Sequence, residues 1–162
     1  MTDNTFRALR ITEDESGNFS RNIINRTLDE LPEGEVLIKI HYAALNFKDA
    51  LSSIGNKGVT RKYPHTPGID GSGIVVESKV DNIKPGEKVL VTSYDLGMNV
   101  DGAFAEYIRV PAKWVIPLPD GISLKESMIM GTAGLTAGIC LYKMEKNGQK
   151  PEHGPIAISG AS

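Results

Sequence analysis

The sequence predicts a mainly β unit, a compact barrel, followed by helices and the first strand of an α/β domain, and three observations predict it. From Phe6 to Leu118 short apolar or alternating runs are closed by Gly, Pro, Asn or Asp every eight to twelve or so residues, the rhythm of antiparallel strands. Ser123-Leu124-Lys125-Glu126 fits a capping box, in which the serine side chain takes the N3 amide and the glutamate reaches back, so a helix starts there. Further on, Ile156-Ala157-Ile158 runs into Ser159-Gly160-Ala161-Ser162, as a strand runs into the glycine turn of a dinucleotide-binding unit. A boundary near Asp120 to Ser123 therefore divides a β domain, residues 1–122, from the linker helices and opening of an α/β domain, residues 123–162.

Taken in order, Phe6 to Ile11 ends at Ser16-Gly17-Asn18, and a weaker run through Ile23 and Ile24 ends at Leu31-Pro32-Glu33-Gly34; both read as edge strands. Glu35 to Ala43 alternates cleanly, with Val36, Ile38, Ile40 and Tyr42 on one face, which places Tyr42 in the core and His41 at the rim. In Leu45 to Leu51, Asn46 can cap a short helix with Asp49 in its first turn, near the positive end of the dipole. The three glycines of Gly68-Ile69-Asp70-Gly71-Ser72-Gly73 precede a strand rather than a helix, which favours closely packed backbone over a phosphate cradle. Pro85-Gly86 turns the chain into the buried strand Val89-Leu90-Val91. A loop from Tyr94 to Asp101 precedes a second alternating run, Gly102 to Val110, and Trp114-Val115-Ile116 closes the β region.

Beyond the boundary, Leu135, Ile139 and Tyr142 share one helical face within Thr132 to Met144, and Cys140 beside them reads as a small buried apolar residue. Lys143 and Lys146 suit the C-terminal dipole and Gly148 the exit.

Charge and composition exclude several classes. Against 20 acidic residues stand 18 Lys and Arg, and no basic stripe could neutralise a row of phosphates, so nucleic acid is not an expected partner. No apolar run approaches a membrane span and the N-terminus has no signal pattern, which predicts a cytoplasmic protein. One cysteine and three histidines without ligand spacing predict no metal site.

In order and spacing, Leu31-Pro32-Glu33-Gly34, Leu45 to Leu51, Pro67 to Gly73, Gly131 to Ala137 and Ser159 to Ser162 together resemble the medium-chain dehydrogenase/reductase superfamily. Within it they resemble the YhdH/YhfP quinone oxidoreductase branch that includes the acrylyl-CoA reductases. The resemblance implies a GroES-like catalytic barrel, a Rossmann domain of which only the start is present, and NADPH bound in the cleft between them. It implies a zinc-independent enzyme, since Gly68-Ile69-Asp70 stands where zinc-dependent relatives carry Gly-His-Glu. The implied reaction moves hydride to an enoyl thioester or a quinone, with Asn46, Lys48 and Asp49 as the catalytic candidates. Phe47, Thr132, Thr136, Gly160, Ala161 and Ser162 are the cofactor-binding candidates, Phe47 replacing the tyrosine of many members. Back-bonding to the preceding turn is the alternative role of the two threonines. Tyr94, on its loop, is a cleft residue and one of several possible proton donors, and Lys57, Arg61 and Lys62 form a basic loop. The resemblance further implies a full-length homodimer and a fragment inactive by itself. The competing reading is a GroES-like interaction module without chemistry.

Overall fold

The structure, a computed structural model, describes residues 4–159. Strands β1 (Thr5–Glu13) and β2 (Phe19–Thr27) form an antiparallel hairpin in continuous register from Thr5↔Thr27 to Glu13↔Phe19. Its turn is set by Asp14, whose Oδ1 accepts the amides of Ser16 and Asn18 at 2.9 and 2.8 Å. β1 is more than an edge: Phe6, Ala8 and Ile11 are buried, while Ile23 and Ile24 on β2 are exposed.

Five further strands, β3 (Val36–Ala43), β4 (Asp70–Ser78), β5 (Lys88–Thr92), β6 (Tyr107–Val110) and β7 (Val115–Pro117), make an antiparallel sheet in the order β6-β3-β4-β5-β7. Alternation points Val36, Ile38, Val75, Val89, Val91, Ile108 and Val110 into one core with Leu96, Trp114 and Val115. Burying each such aliphatic side chain contributes about 1.5–3 kcal/mol. Bridges at Ala8↔Ala105 and Ile11↔His65 seat the hairpin on this sheet, over Leu31 and Leu37. The mainly β expectation is met.

Two expectations about the strands change. Tyr42 is exposed, because a register shift between Ile40 and Tyr42 rotates the strand end away from the core. The run Gly102 to Val110 is a strand only from Tyr107. Before it, Gly102, Ala103 and Phe104 donate their amides to the carbonyls of Thr66, Gly68 and Pro67 instead of to one ladder. At Gly68, with φ 112°, a Cβ would stand 2.5 Å from the Phe104 nitrogen, so close backbone packing explains this glycine, as the sequence suggests.

Helix α1 (Phe47–Ser53) follows β3, and α2 (Leu124–Lys146) lies against β3, β4 and β5. The Ser123 hydroxyl accepts the Glu126 amide at 3.2 Å and the Glu126 carboxylate accepts the Ser123 amide at 2.9 Å, the capping box expected there. α2 is two helices joined at Gly131, whose φ 47° and ψ −153° are non-helical. Its second half presents Leu135, Ile139, Leu141 and Tyr142 to solvent, and Cys140 is exposed rather than buried, since no layer of the described residues covers that face. Ile156 to Ile158 forms no strand; none of the described strands lies beside it to take its backbone bonds. No helix of the described residues is long and apolar enough to cross a membrane.

Candidate active site

One end of the sheet gathers the chemistry. The register pairs Asp70, at the start of β4, with Thr92, at the end of β5, and pairs Val91 with Val115 on β7. The Ala44 amide, just past β3, donates to the Asp70 carbonyl at 3.4 Å. The loop into α1, the start of β4, the end of β5 and the break in α2 therefore meet.

Asp70 is the hub. It is fully buried, and its Oδ1 accepts the hydroxyls of Thr92 and Thr132 at 2.5 and 2.6 Å. Its Oδ2 accepts the Thr132 amide at 2.8 Å and the Asn46 carboxamide at 2.9 Å. Four donors compensate the burial of one carboxylate. Thr92 and Thr132 also share a hydroxyl contact of 2.9 Å. Gly131 makes the approach possible, because a Cβ there would lie 2.8 Å from Asp70 Oδ2.

Asp49 performs a parallel task from α1. Its Oδ2 accepts the Asn46 amide at 2.8 Å, the returning limb of a capping box, and its Oδ1 accepts the amides of Gly68 and Ile69, both at 3.0 Å. Asp49 is 2% exposed, and burial pushes its carboxyl above its ordinary value even though these bonds pull it down. It ties α1 to the loop that delivers Asp70. Both of its oxygens are thus taken by backbone amides.

The structure thus brings Asn46, Asp49 and Thr132 together through Asp70 and the Gly68–Ile69 turn. Lys48 and Phe47 stand outward on the first turn of α1, both exposed, Phe47 at 80%. Lys48 makes no ion pair with another described residue. The Thr132 hydroxyl is committed to Asp70, and the Thr136 hydroxyl donates to the Thr132 carbonyl at 2.8 Å, the back-bonding alternative. Gly160, Ala161 and Ser162 lie outside the described residues. In the basic loop, Lys57 is paired with Glu13 and lies over the rings of Phe19 and Tyr63, while Arg61 and Lys62 are exposed. Sequence reasoning missed Asp70 and Thr92 as site residues. The available signal was a single acid within the small-residue run Gly68 to Gly73, at the mouth of a strand bound for the interior.

These residues suit a nicotinamide cofactor. Phe47, next to Asn46 in the chain, leaves an exposed aromatic ring free to contact a flat amide-bearing ring.

The fold is that of a GroES-like domain of the alcohol dehydrogenase type. Residues 32–120 match the family described as "Alcohol dehydrogenase GroES-like domain", and the chain belongs to that family. YhfP of Bacillus subtilis, which bears a quinone oxidoreductase name, is 40% identical over 97% of this chain and 47% of its own length. The acrylyl-CoA reductase AcuI of Ruegeria pomeroyi is 39% identical over 97% of this chain and 48% of its own. The yhdH oxidoreductase of Salmonella enterica, solved in complex with NADP, superposes with a TM-score of 0.88 at 36% identity, covering 91% of this chain and 45% of that one. The chain thus spans about half the length of the relatives it matches. The resemblance to the YhdH/YhfP and acrylyl-CoA reductase branch is met.

Proposed function

We propose that this chain is the catalytic lobe of a zinc-independent, NADPH-dependent reductase that saturates the C=C bond of an enoyl thioester such as acrylyl-CoA, or reduces a quinone. The observation that carries the reading is the Asp70 hub, which fixes Asn46 and Thr132 next to the exposed Phe47, together with the similarity to AcuI. When bound, the dinucleotide supplies the hydride.

The chain's own residues position and polarise. Asn46 is held from several sides, its amide by Asp49, its carboxamide nitrogen by Asp70 and its side chain by the N3 amide in the capping box, which leaves one carboxamide N–H to a ligand. Phe47 forms the apolar wall. Lys48, an exposed cation on the same turn, stabilises the negative charge that develops at the acceptor's carbonyl oxygen. Asp49 and Asp70 are positioning residues. Thr132 is held by Asp70 so that the second half of α2 starts in a fixed direction, with Thr136 one turn along as a proposed cofactor contact, its hydroxyl donating to the Thr132 carbonyl. Saturation is completed by a proton added at the α-carbon, and in quinone reduction the hydride and one proton together give the hydroquinone, with one hydrogen on each oxygen.

The phosphate-binding turn would start at Gly160, Ala161 and Ser162. The 162-residue chain is then inactive alone, the complete enzyme is a cytoplasmic homodimer, and its partner is the small-molecule acceptor. The test is NADPH oxidation by the complete gene product, with acrylyl-CoA and a simple quinone assayed side by side. Turnover of the thioester is expected. Quinone turnover alone moves the substrate assignment, and oxidation with neither acceptor overturns the reductase reading in favour of an interaction module.

A further inference from the structure

Strand β2 is bonded along one side only. The amides of Leu9 and Ile11 donate to the carbonyls of Phe104 and His65, both at 2.8 Å, and the Arg7 carbonyl accepts the Glu106 amide at 3.0 Å. The backbone groups of these three residues therefore point away from β2, and the ladder to β2 is made by Phe6, Ala8, Arg10 and Thr12 with Arg26, Ile24, Asn22 and Ser20. It follows that Arg21, Ile23 and Asn25 aim their N–H and C=O groups at the outer edge, where no described strand takes them.

Such edges are ordinarily blunted by lysine, proline, a bulge or a short strand. β2 has none of these, and runs for nine residues, Phe19–Thr27, in unbroken register. Its two cations do not guard it either, since Arg26 is buried on Asp101 and Arg21 donates to the Ser53 carbonyl at 3.0 Å. At its middle stands Ile23, 74% exposed. Ile23 pairs with Leu9, and the Ala8↔Ala105 bridge sets Phe104 beside Leu9, so an apolar row crosses three adjacent segments and stops at the edge. The hollow along this row, about 280 Å³, is lined by Leu9, Ile23, Phe104 and Ala105 among others.

We propose that β2 is a self-association edge, on which a second copy of this chain adds its own β2, antiparallel, about a two-fold axis through Ile23. The proposal does not rest on the reductase reading. Its occupant follows from the register, because outward-facing residues pair only with outward-facing residues. With the axis at Ile23, Arg21 lies opposite Asn25 of the second copy, Asn22 opposite Ile24 and Ser20 opposite Arg26. Each cation then meets a neutral polar side chain and no like charges face each other. The two Ile23 side chains meet on the axis, and the apolar row continues from one copy into the other. An axis one residue to either side sets Ile23 against Asn25 or Arg21 and interrupts that row. A patch that complements itself in backbone bonds, charge and apolar surface is what a two-fold interface requires.

A nine-residue edge is a small interface, so the association is weak and is best trapped. In the chain carrying Cys140→Ser, which removes the one native thiol, Ile23→Cys places two thiols on hydrogen-bonded partners about 5.5 Å apart between Cα atoms, within disulfide reach. Asn25→Cys alone leaves its two thiols four residues apart along the strands, about 13 Å. Mild oxidation is expected to link Ile23→Cys at least about tenfold faster than Asn25→Cys, and to link Arg21→Cys with Asn25→Cys when the two are mixed. Equal rates at all these positions overturn the proposal. The wild-type chain gives a second reading that needs no variant. On going from dilute to concentrated solution, amide exchange at Arg21, Ile23 and Asn25 is expected to slow about fivefold or more, with Asn22 and Ile24, already bonded to β1, unchanged. Exchange at the three outward amides that does not depend on concentration overturns the proposal equally, including where the chain associates through the exposed face of α2.

Discussion

Asp70 shows how much one side chain can determine. It is buried, pairs with no cation among the described residues and is compensated by four hydrogen-bond donors from three other parts of the chain. Removing the carboxylate leaves those donors inside with no acceptor, and each unsatisfied buried group costs about 1–3 kcal/mol. Asp70→Ala is therefore expected to lose about 3–5 kcal/mol, read as a lower urea midpoint. Asp70→Asn is milder, at about 1–2 kcal/mol. Its oxygen can keep the Asn46 and Thr132 N–H groups while its amide faces two hydroxyls, which rotate to accept. Equal losses in the two variants would mean that the charge, rather than the acceptor geometry, holds the cluster. The hub was illegible in the sequence for a physical reason: its partners are 24, 22 and 62 residues away, and no local pattern encodes a shared acceptor. The Asn46–Asp49 cap was legible because its partners are three residues apart.

Among the elements, the break in α2 does the most to shape the site. The sequence shows a helix start at Ser123 and a periodic stretch from Thr132, because capping and periodicity are local. It does not show that one residue joins the two helices. The dihedrals of Gly131 suit glycine alone, and the added methyl of Gly131→Ala would meet Asp70 Oδ2 at 2.8 Å and the Ala44 Cβ at 3.4 Å. Strain and clash together predict a loss of about 2–3 kcal/mol, again read by denaturant midpoint. A glycine in an unbroken helix would gain about 1 kcal/mol from the same change, so the sign of the effect tests the kink directly. The strands were legible for the opposite reason from the hub. Period-two alternation survives any topology; it misled at Tyr42, where a register shift changes the face without altering the residue pattern, and at Gly102 to Phe104, whose amides bond the Thr66–Gly68 segment instead of a ladder.

At the scale of the whole molecule, the hairpin is fastened to the five-stranded sheet by a buried charge cluster. Asp101 accepts Arg10 of β1 at 2.6 Å and Arg26 of β2 at 2.7 Å, and the Thr66 amide donates to it at 3.0 Å. His65 completes the group, with Nδ1 3.6 Å from Asp101 and a buried Nε2 that has no hydrogen-bond partner among the described residues. Burial, with a smaller push from Arg10, lowers the His65 pKa below its ordinary value, although the Gly97 backbone and Asp101 pull the other way. The unfolded chain therefore takes up this proton first. Stability is complete above the ordinary histidine value of about 6.5 and falls as the pH drops from there towards the folded value, by at most about 1.4 kcal/mol per pH unit for one proton. Asp49 acts with the opposite sign, its raised pKa favouring the folded state as the pH falls. The surface carboxylates Asp14, Glu30, Glu106 and Glu126, whose pKa values are lowered, lose their contribution only below the histidine window. Comparing wild type with His65→Gln cancels all of these. Denaturation midpoints measured between about pH 7.5 and 5 should fall more steeply in wild type than in the variant, even though the variant is less stable throughout. Parallel profiles would show that His65 keeps its ordinary affinity for the proton, and that the clamp between hairpin and sheet is insensitive to acid.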